Sequence, residues 1–276
     1  MEERQKHHEK RANRKRSLVS NIILVIAVGI FVFSAYKLIS IYSEYHKGDK
    51  EYDSIVDEAI EIVASKEDKS EDMEDENAPI VHSSLKIDFD KLKKINQDVV
   101  GWIQFDEPKK ISYPVVKGAD NDKYLTTTYE GKKNSSGSIF IDVANAGDFS
   151  DKNTFIYGHN MKNGSMFGQL RKFKTKDYYE QNPYFYIYTP DGKEVKYQIF
   201  AVCIVEDTSR SYTRYYDNDE QYVDYLNYVK SIARYDTGVE LTADSKIVSL
   251  STCTNVSETQ RLLVHGVKIG ETVVGE

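Results

Sequence analysis

The 276 residues include only two cysteines, Cys203 and Cys253, which leaves room for one disulfide at most. Positive charge is outweighed, 37 Lys and Arg against 44 Asp and Glu for a formal net charge of -7, and the basic residues fall mostly in short clusters. That balance argues against nucleic acid as a partner. There is no glycine-rich phosphate loop or dinucleotide-binding pattern, and the histidines lack the spaced acidic or thiol companions of a metal site. No metal and no cofactor is expected. Charge is missing altogether from Leu18 to Tyr36, a run of nineteen residues interrupted only by Ser20, Asn21, Gly29 and Ser34. A helix of that length spans a bilayer. No small-x-small cleavage site follows, so the run reads as an uncleaved anchor surrounded by membrane lipid rather than a signal peptide. Arg4, Lys6, Lys10, Arg11, Arg14, Lys15 and Arg16 precede it and place the amino terminus in the cytoplasm and everything after Lys37 outside.

After the anchor, Leu38 to Ala64 reads as helix. Lys66 to Asn77 follows, with seven acidic residues among twelve, a block that repels itself and reads as a solvated tether. The folded domain is expected to begin near Ile80 to Ser84, followed by a short helix capped by Asp88. From Val100 the period becomes that of strands, at 101–105, 111–116, 137–141 and 154–157. Trp102 is expected to pack in the core. Tyr184–Tyr188 and Glu194–Val205 form a hairpin across Pro190-Asp191-Gly192. Tyr222, Tyr225, Leu226, Val229 and Ile232 recur at helical spacing, giving an amphipathic helix over Asp219–Tyr235 with one face on the sheet. The sum is a predominantly β domain with one substantial late helix.

The chemistry concentrates in Lys246 to His265, two strands joined by a polar loop. Val248, Leu250 and Thr252 share one face of the first, and Ser249, Ser251 and Cys253 the other. On the second, Leu262 and Val264 oppose Arg261, Leu263 and His265. With the Val248/Leu250 and Leu262/Val264 faces in the core, Cys253 and Arg261 point outward into a groove. A guanidinium beside a thiol favours the thiolate and can hold an oxygen that gains charge during attack on a carbonyl. The alternative is a buried small Cys253 beside an ordinary surface Arg261. Bridging Cys203 to Cys253 would silence the one plausible nucleophile, so Cys203 is expected to be buried, reduced and inert. Of six histidines, His7 and His8 lie on the cytoplasmic side, while His46 and His82 precede the core domain. His265 is roughly 13 Å from Arg261 along an extended strand, which suits a packed strand residue. His159, exposed after the turn at Gly158, is the better acid or base.

Leu250-Ser251-Thr252-Cys253, with Arg261 after it and Tyr157-Gly158-His159-Asn160 well before it, resembles the sortases, class B in particular. Ile95-Asn96-Gln97-Asp98-Val99-Val100-Gly101-Trp102-Ile103, Tyr113-Pro114-Val115-Val116 and Asp120-Asn121-Asp122-Lys123-Tyr124-Leu125 extend the likeness, which covers roughly 85–268. The resemblance implies a closed eight-stranded β-barrel with amino-terminal helices and a helix between its sixth and seventh strands. It implies a cysteine transpeptidase that cleaves a carboxy-terminal sorting motif after Thr through a thioacyl intermediate. The released protein would pass to an amine of peptidoglycan or its precursor. By motif, Cys253 would be the nucleophile, His159 the general acid and base, Arg261 the oxyanion donor and the Thr254 N–H a second one. Asn121, Leu125, Thr208, Tyr212 and Ser251 match the family's substrate-groove positions. Asn255 stands where the family often has an acidic residue, so this loop offers no carboxylate to orient His159. The chain then divides into a cytoplasmic basic segment (1–17), an anchor (18–39), an extracellular helical and acidic tether (40–84) and a catalytic domain (85–276). A cysteine peptidase that uses only water, or a non-catalytic surface interaction module, are the other functions these residues allow.

Overall fold

The computed structural model describes residues 2–62, 84–109 and 111–274. The acidic run at 66–77, His82 and most of the expected domain start lie outside the described residues. The chain divides into two units, Met1–Lys47 and Gly48–Glu276. Helix α1 runs over Glu2–Ala59, and from Ser20 it contains an 18-residue window of mean hydropathy 2.5. By length and composition that helix can cross a membrane.

The second unit begins earlier than the periodicity indicated. Tyr52, Ile55 and Ala59, at helical spacing near the end of α1, are buried. The Tyr52 hydroxyl donates to the Gly137 carbonyl at 2.7 Å and accepts from the Tyr129 N–H at 3.3 Å. Strand β1 (Ile60–Ile62) then pairs antiparallel with β2 (Leu85–Ile87). The end of α1 thus packs into the second unit. Helix α2 (Phe89–Ile95) starts where Asp88 accepts the Lys91 N–H at 2.9 Å, as its cap-like sequence indicated.

Eight strands close the barrel: β3 (Val99–Gln104), β4 (Ser112–Val116), β5 (Ile139–Ile141), β6 (Asn153–Tyr157), β7 (Tyr184–Tyr188), β8 (Lys193–Glu206), β9 (Ile247–Cys253) and β10 (Gln260–Val273). Their order is β10-β8-β7-β3-β4-β5-β6-β9, with β4/β5 and β6/β9 parallel and the other pairs antiparallel. Closure leaves no free edge within this set. Trp102 is fully buried and donates to the Ser112 hydroxyl at 3.1 Å. The β7–β8 hairpin turns at Gly192, whose φ of 80° is the left-handed conformation glycine tolerates.

Helices α3 (Lys176–Gln181) and α4 (Asp219–Ser231) interrupt the strands, α4 falling between the sixth and seventh barrel strands. The Asn218 side chain caps α4 by accepting the Gln221 N–H at 2.9 Å. The helix ends at Ser231 instead of running to Tyr235, because the chain turns to the sheet and the Arg234 N–H bonds the Val202 carbonyl at 2.9 Å. Tyr222, Tyr225, Leu226 and Val229 pack with Cys203, Ile247, Leu263 and Val267. That contact corrects the simple inside/outside reading of β9 and β10. The face opposite Val248 and Leu250 lies under α4, so Ser249, Ser251 and His265 are buried too. At the loop joining the two strands, Cys253 and Arg261 are half-buried and reach the surface.

Candidate active site

Strand register assembles the site. Arg261 is the cross-strand partner of Cys253 in the antiparallel β9/β10 pair. On the other side of β9, Tyr157 is level with Ser251 in the parallel β6/β9 pair. The Gly158 N–H extends that pairing to the Ser251 carbonyl at 3.2 Å. Two further residues along each chain give His159 and Cys253, so thiol, imidazole and guanidinium come from three neighbouring strands at one end of the barrel. Gly158 is required by close approach: a Cβ there would meet Ile139 Cδ1 at 2.4 Å and the Phe167 ring at 2.8 Å.

Side-chain amides fasten these strand ends. Asn160 Nδ2 donates to the Cys253 carbonyl at 2.7 Å, and Asn255 Nδ2 donates to the Asn160 carbonyl at 3.2 Å. Asn255 itself adopts φ 62°, a turn conformation that asparagine accommodates. His159 Nε2 lies 2.7 Å from the Leu125 carbonyl. A carbonyl only accepts, so Nε2 carries the proton and Nδ1 is the basic nitrogen. A main-chain oxygen thereby orients the imidazole where the sequence offered no carboxylate.

Arg261 is held at three points. Nη1 donates to the Glu258 carbonyl at 2.6 Å and the Gln260 carbonyl at 3.3 Å, while Nη2 donates to Asp207 Oδ2 at 3.2 Å. A guanidinium has five N–H groups, so donors remain for a ligand. The Thr254 N–H is engaged with the Gln260 carbonyl at 3.2 Å.

His159, Cys253 and Arg261 line one cavity of about 400 Å³ together with Asn121, Leu125, Tyr212 and Ser251. The Tyr212 and Ser251 hydroxyls are 2.8 Å apart, and the Tyr212 ring stacks on Phe155. Thr208 is exposed and does not line this cavity. Its neighbour Asp207 does, because the Asp207 N–H is pinned to the Thr259 carbonyl at 2.9 Å. Asp207, Tyr157, Phe140 and Arg214 are lining residues that sequence reasoning missed. No sequence motif marks Asp207 or Arg214, while Tyr157 opens the histidine motif without having been read as a lining residue. Among the described residues no group of three or more His, Cys, Asp or Glu is placed to hold a metal ion.

The remaining candidates separate cleanly. Both cysteines are free, Cys203 buried and Cys253 half-buried. Burial pushes the Cys203 thiol up to about 12, so it is no nucleophile at neutral pH. His265 is fully buried, its Nδ1 2.8 Å from the Ser249 hydroxyl, and burial lowers its pKa to about 3.

A sortase-domain family model matches residues 105–269. The chain is 32% identical to sortase B of Listeria monocytogenes over 256 residues, covering 91% of this chain and 97% of that protein. It is 28% identical to sortase B of Staphylococcus aureus, covering 90% and 95% respectively. The crystal structure of Clostridium perfringens sortase B superposes with a TM-score of 0.62 at 34% identity, covering 66% of this chain and all of that one. The chain therefore belongs to the sortases, and within them to the class B cysteine transpeptidases.

Proposed function

We propose that this chain cleaves secreted proteins after the Thr of a carboxy-terminal sorting motif and joins them to an amine of peptidoglycan or its precursor. The observation that carries the reading is the strand register, which brings His159, Cys253 and Arg261 to one cavity. In the first half-reaction the Cys253 thiol gives its proton to His159, its sulfur bonds to the Thr carbonyl carbon, and the carbonyl electrons move onto oxygen. The uncommitted N–H groups of Arg261 hold that oxyanion. Collapse expels the amine of the next residue, which takes a proton from His159 and leaves a thioacyl enzyme. In the second half-reaction the incoming amine attacks the thioester and gives a proton to His159, and the expelled sulfur takes that proton back, restoring the thiol and the neutral imidazole. The Thr254 N–H joins as a second oxyanion donor only if it leaves the Gln260 carbonyl.

The full chain in detergent micelles, incubated with a threonine-containing sorting peptide with and without an acceptor amine, tests the reading by mass spectrometry. A ligated product is expected. Hydrolysis that amine never diverts would instead mean a peptidase, and absence of any Cys253 adduct would mean a non-catalytic surface module. The same reading places the amino terminus in the cytoplasm and the barrel outside, since basic residues precede the apolar helix. Protease added to intact protoplasts should then degrade the barrel, and full protection would overturn that orientation.

A further inference from the structure

Two loops hold His159. The first runs from Leu125 to β5 and supplies the Leu125 carbonyl, 2.7 Å from His159 Nε2. Gly137, at the far end of that loop, lies directly against this carbonyl: a Cβ on it would meet the Leu125 oxygen at 2.8 Å. The N–H of the next residue, Ser138, bonds the Tyr124 carbonyl at 2.9 Å. The second loop follows His159 itself and folds back on it. The Phe167 N–H bonds the His159 carbonyl at 3.0 Å, and Met166 is the bridge partner of Asn160. Met166 is buried at a left-handed φ of 52°, uncommon for any residue but glycine, so its surroundings must impose that conformation.

The end of α1 reaches both loops. In the first, the Tyr52 hydroxyl donates to the Gly137 carbonyl at 2.7 Å and accepts from the Tyr129 N–H at 3.3 Å, and Glu51 Oε1 accepts the Glu130 N–H at 3.0 Å. In the second, Asp49 Oδ2 accepts from Asn163 Nδ2 at 2.9 Å. The Tyr52 ring meets the Tyr113 ring edge-on at 5.3 Å, and the Tyr113 hydroxyl accepts the Met166 N–H at 2.9 Å. Tyr52 therefore links the loop that carries the acceptor of the imidazole to the loop that carries the histidine backbone.

Adhesion of the helix end would need only apolar burial, which Ile55 and Ala59 supply. Polar groups at the same contact must each be bonded to be tolerated there, which ties the helix to one position against the loops. We propose that Tyr52 is a positioning residue for His159: through Gly137 it sets the Leu125 carbonyl, and through Tyr113 it sets the turn that holds the His159 backbone. Docking of the α1 end then keeps the imidazole in the orientation that proton transfer requires. This rests on the reading of His159 as acid and base in the transpeptidase above.

The test uses the full chain in micelles. Tyr52→Phe removes the hydroxyl and keeps the ring, and kcat for a sorting peptide should fall about five- to tenfold, with KM within about twofold and an altered pH–rate profile. Tyr113→Phe, which frees the Met166 N–H, should do the same by the second route and serves alone if Tyr52→Phe does not fold. Ile55→Val is the control, because it thins the same contact without removing a hydrogen bond; its denaturant midpoint should drop while kcat stays within about twofold. The imidazole is also read directly, in ring proton–nitrogen spectra of histidine-labelled protein, with the His159 signal identified by its loss in His159→Ala. That signal should move in Tyr52→Phe and stay in place in Ile55→Val. Unchanged kcat or an unmoved His159 signal in the folded tyrosine variants would overturn the proposal, as would an equal loss of kcat in Ile55→Val, the mark of general destabilisation. Absence of cleavage by the wild-type chain, with the His159 signal still moved by Tyr52→Phe, would reject the transpeptidase reading and keep the positioning role.

Discussion

The Asp207 carboxylate meets the Arg261 guanidinium at 3.2 Å from the end of the strand flanking β10. The other two acceptors on Arg261 are carbonyls of its own loop, so among the described residues Asp207 is the one side chain that fixes the plane of the guanidinium. Asp207→Ala should lower kcat/KM for a sorting peptide about three- to tenfold, the range of a partly exposed charged hydrogen bond. Arg261→Lys should cost about a hundredfold or more, because an ammonium cannot keep the Asp207 bond and hold an oxyanion in one plane. Faster turnover by Asp207→Ala would mean that the carboxylate restrains Arg261, and normal cleavage by Arg261→Lys would remove its geometric role.

The two thiols should react very differently. Cys203 is buried beneath α4 with its thiol pushed up to about 12, whereas Cys253 is half-buried in the cavity. At neutral pH a small alkylating reagent should label one site per native chain, at Cys253, and a second only after denaturation. Peptide mapping of native protein labelled first at Cys203 would contradict this assignment.

Imidazole orientation can be tested through a glycine. A Cβ at Gly137 would meet the Tyr124 carbonyl at 2.4 Å and the Leu125 carbonyl at 2.8 Å, so Gly137→Ala should displace the oxygen that orients His159. Gly131→Ala is the control: its φ of 82° imposes the same kind of backbone strain, about 1 kcal/mol or more, but nothing lies within 4 Å of the new Cβ. His159→Ala should lose about 10² to 10⁴ in rate. Gly137→Ala should fall between that variant and wild type with an altered pH–rate profile, while Gly131→Ala should turn over normally. Equal turnover in the two glycine variants, both folded by circular dichroism, would show that the Leu125 carbonyl does not matter.

What the sequence made legible was local. Alternation in β9 and β10 put Cys253 opposite Arg261, Pro190-Asp191-Gly192 marked a hairpin, and three- and four-residue spacing marked α4. Ser249 and Ser251 misled for a physical reason: hydroxyls read as exposed, yet Ser249 donates to Asn153 at 2.7 Å and Ser251 meets Tyr212 at 2.8 Å beneath other elements. Arg214 with Asp142, and Arg261 with Asp207, are separated by 72 and 54 residues. Their pairing comes from barrel closure and loop packing, which leave no periodic trace in the chain. The docked end of α1 was similarly hidden, since its buried apolar residues Tyr52, Ile55 and Ala59 stand among charges.

The last prediction concerns pH and rests on His265. Ser249 donates its hydroxyl to Asn153, so it accepts from His265 Nδ1, and Nε2 is left buried without a partner beside the Phe200 ring. Protonating that nitrogen would create a cation in an apolar setting, which is why burial lowers the pKa from 6.5 to about 3. Between those two values the unfolded chain binds the extra proton and the native chain does not. Stability therefore rises with pH across this window and is lost as pH falls from 6.5 toward 3, by at most about 5 kcal/mol from this residue. His265→Gln keeps a side chain able to bond Ser249 but cannot titrate. Denaturant midpoints measured from pH 7.5 to 4 should fall steeply for the wild-type chain and less steeply for His265→Gln, even where the variant starts lower because its packing is altered. Parallel curves would show that other groups govern the acid response, and a variant curve steeper than wild type would reverse the sign of the argument.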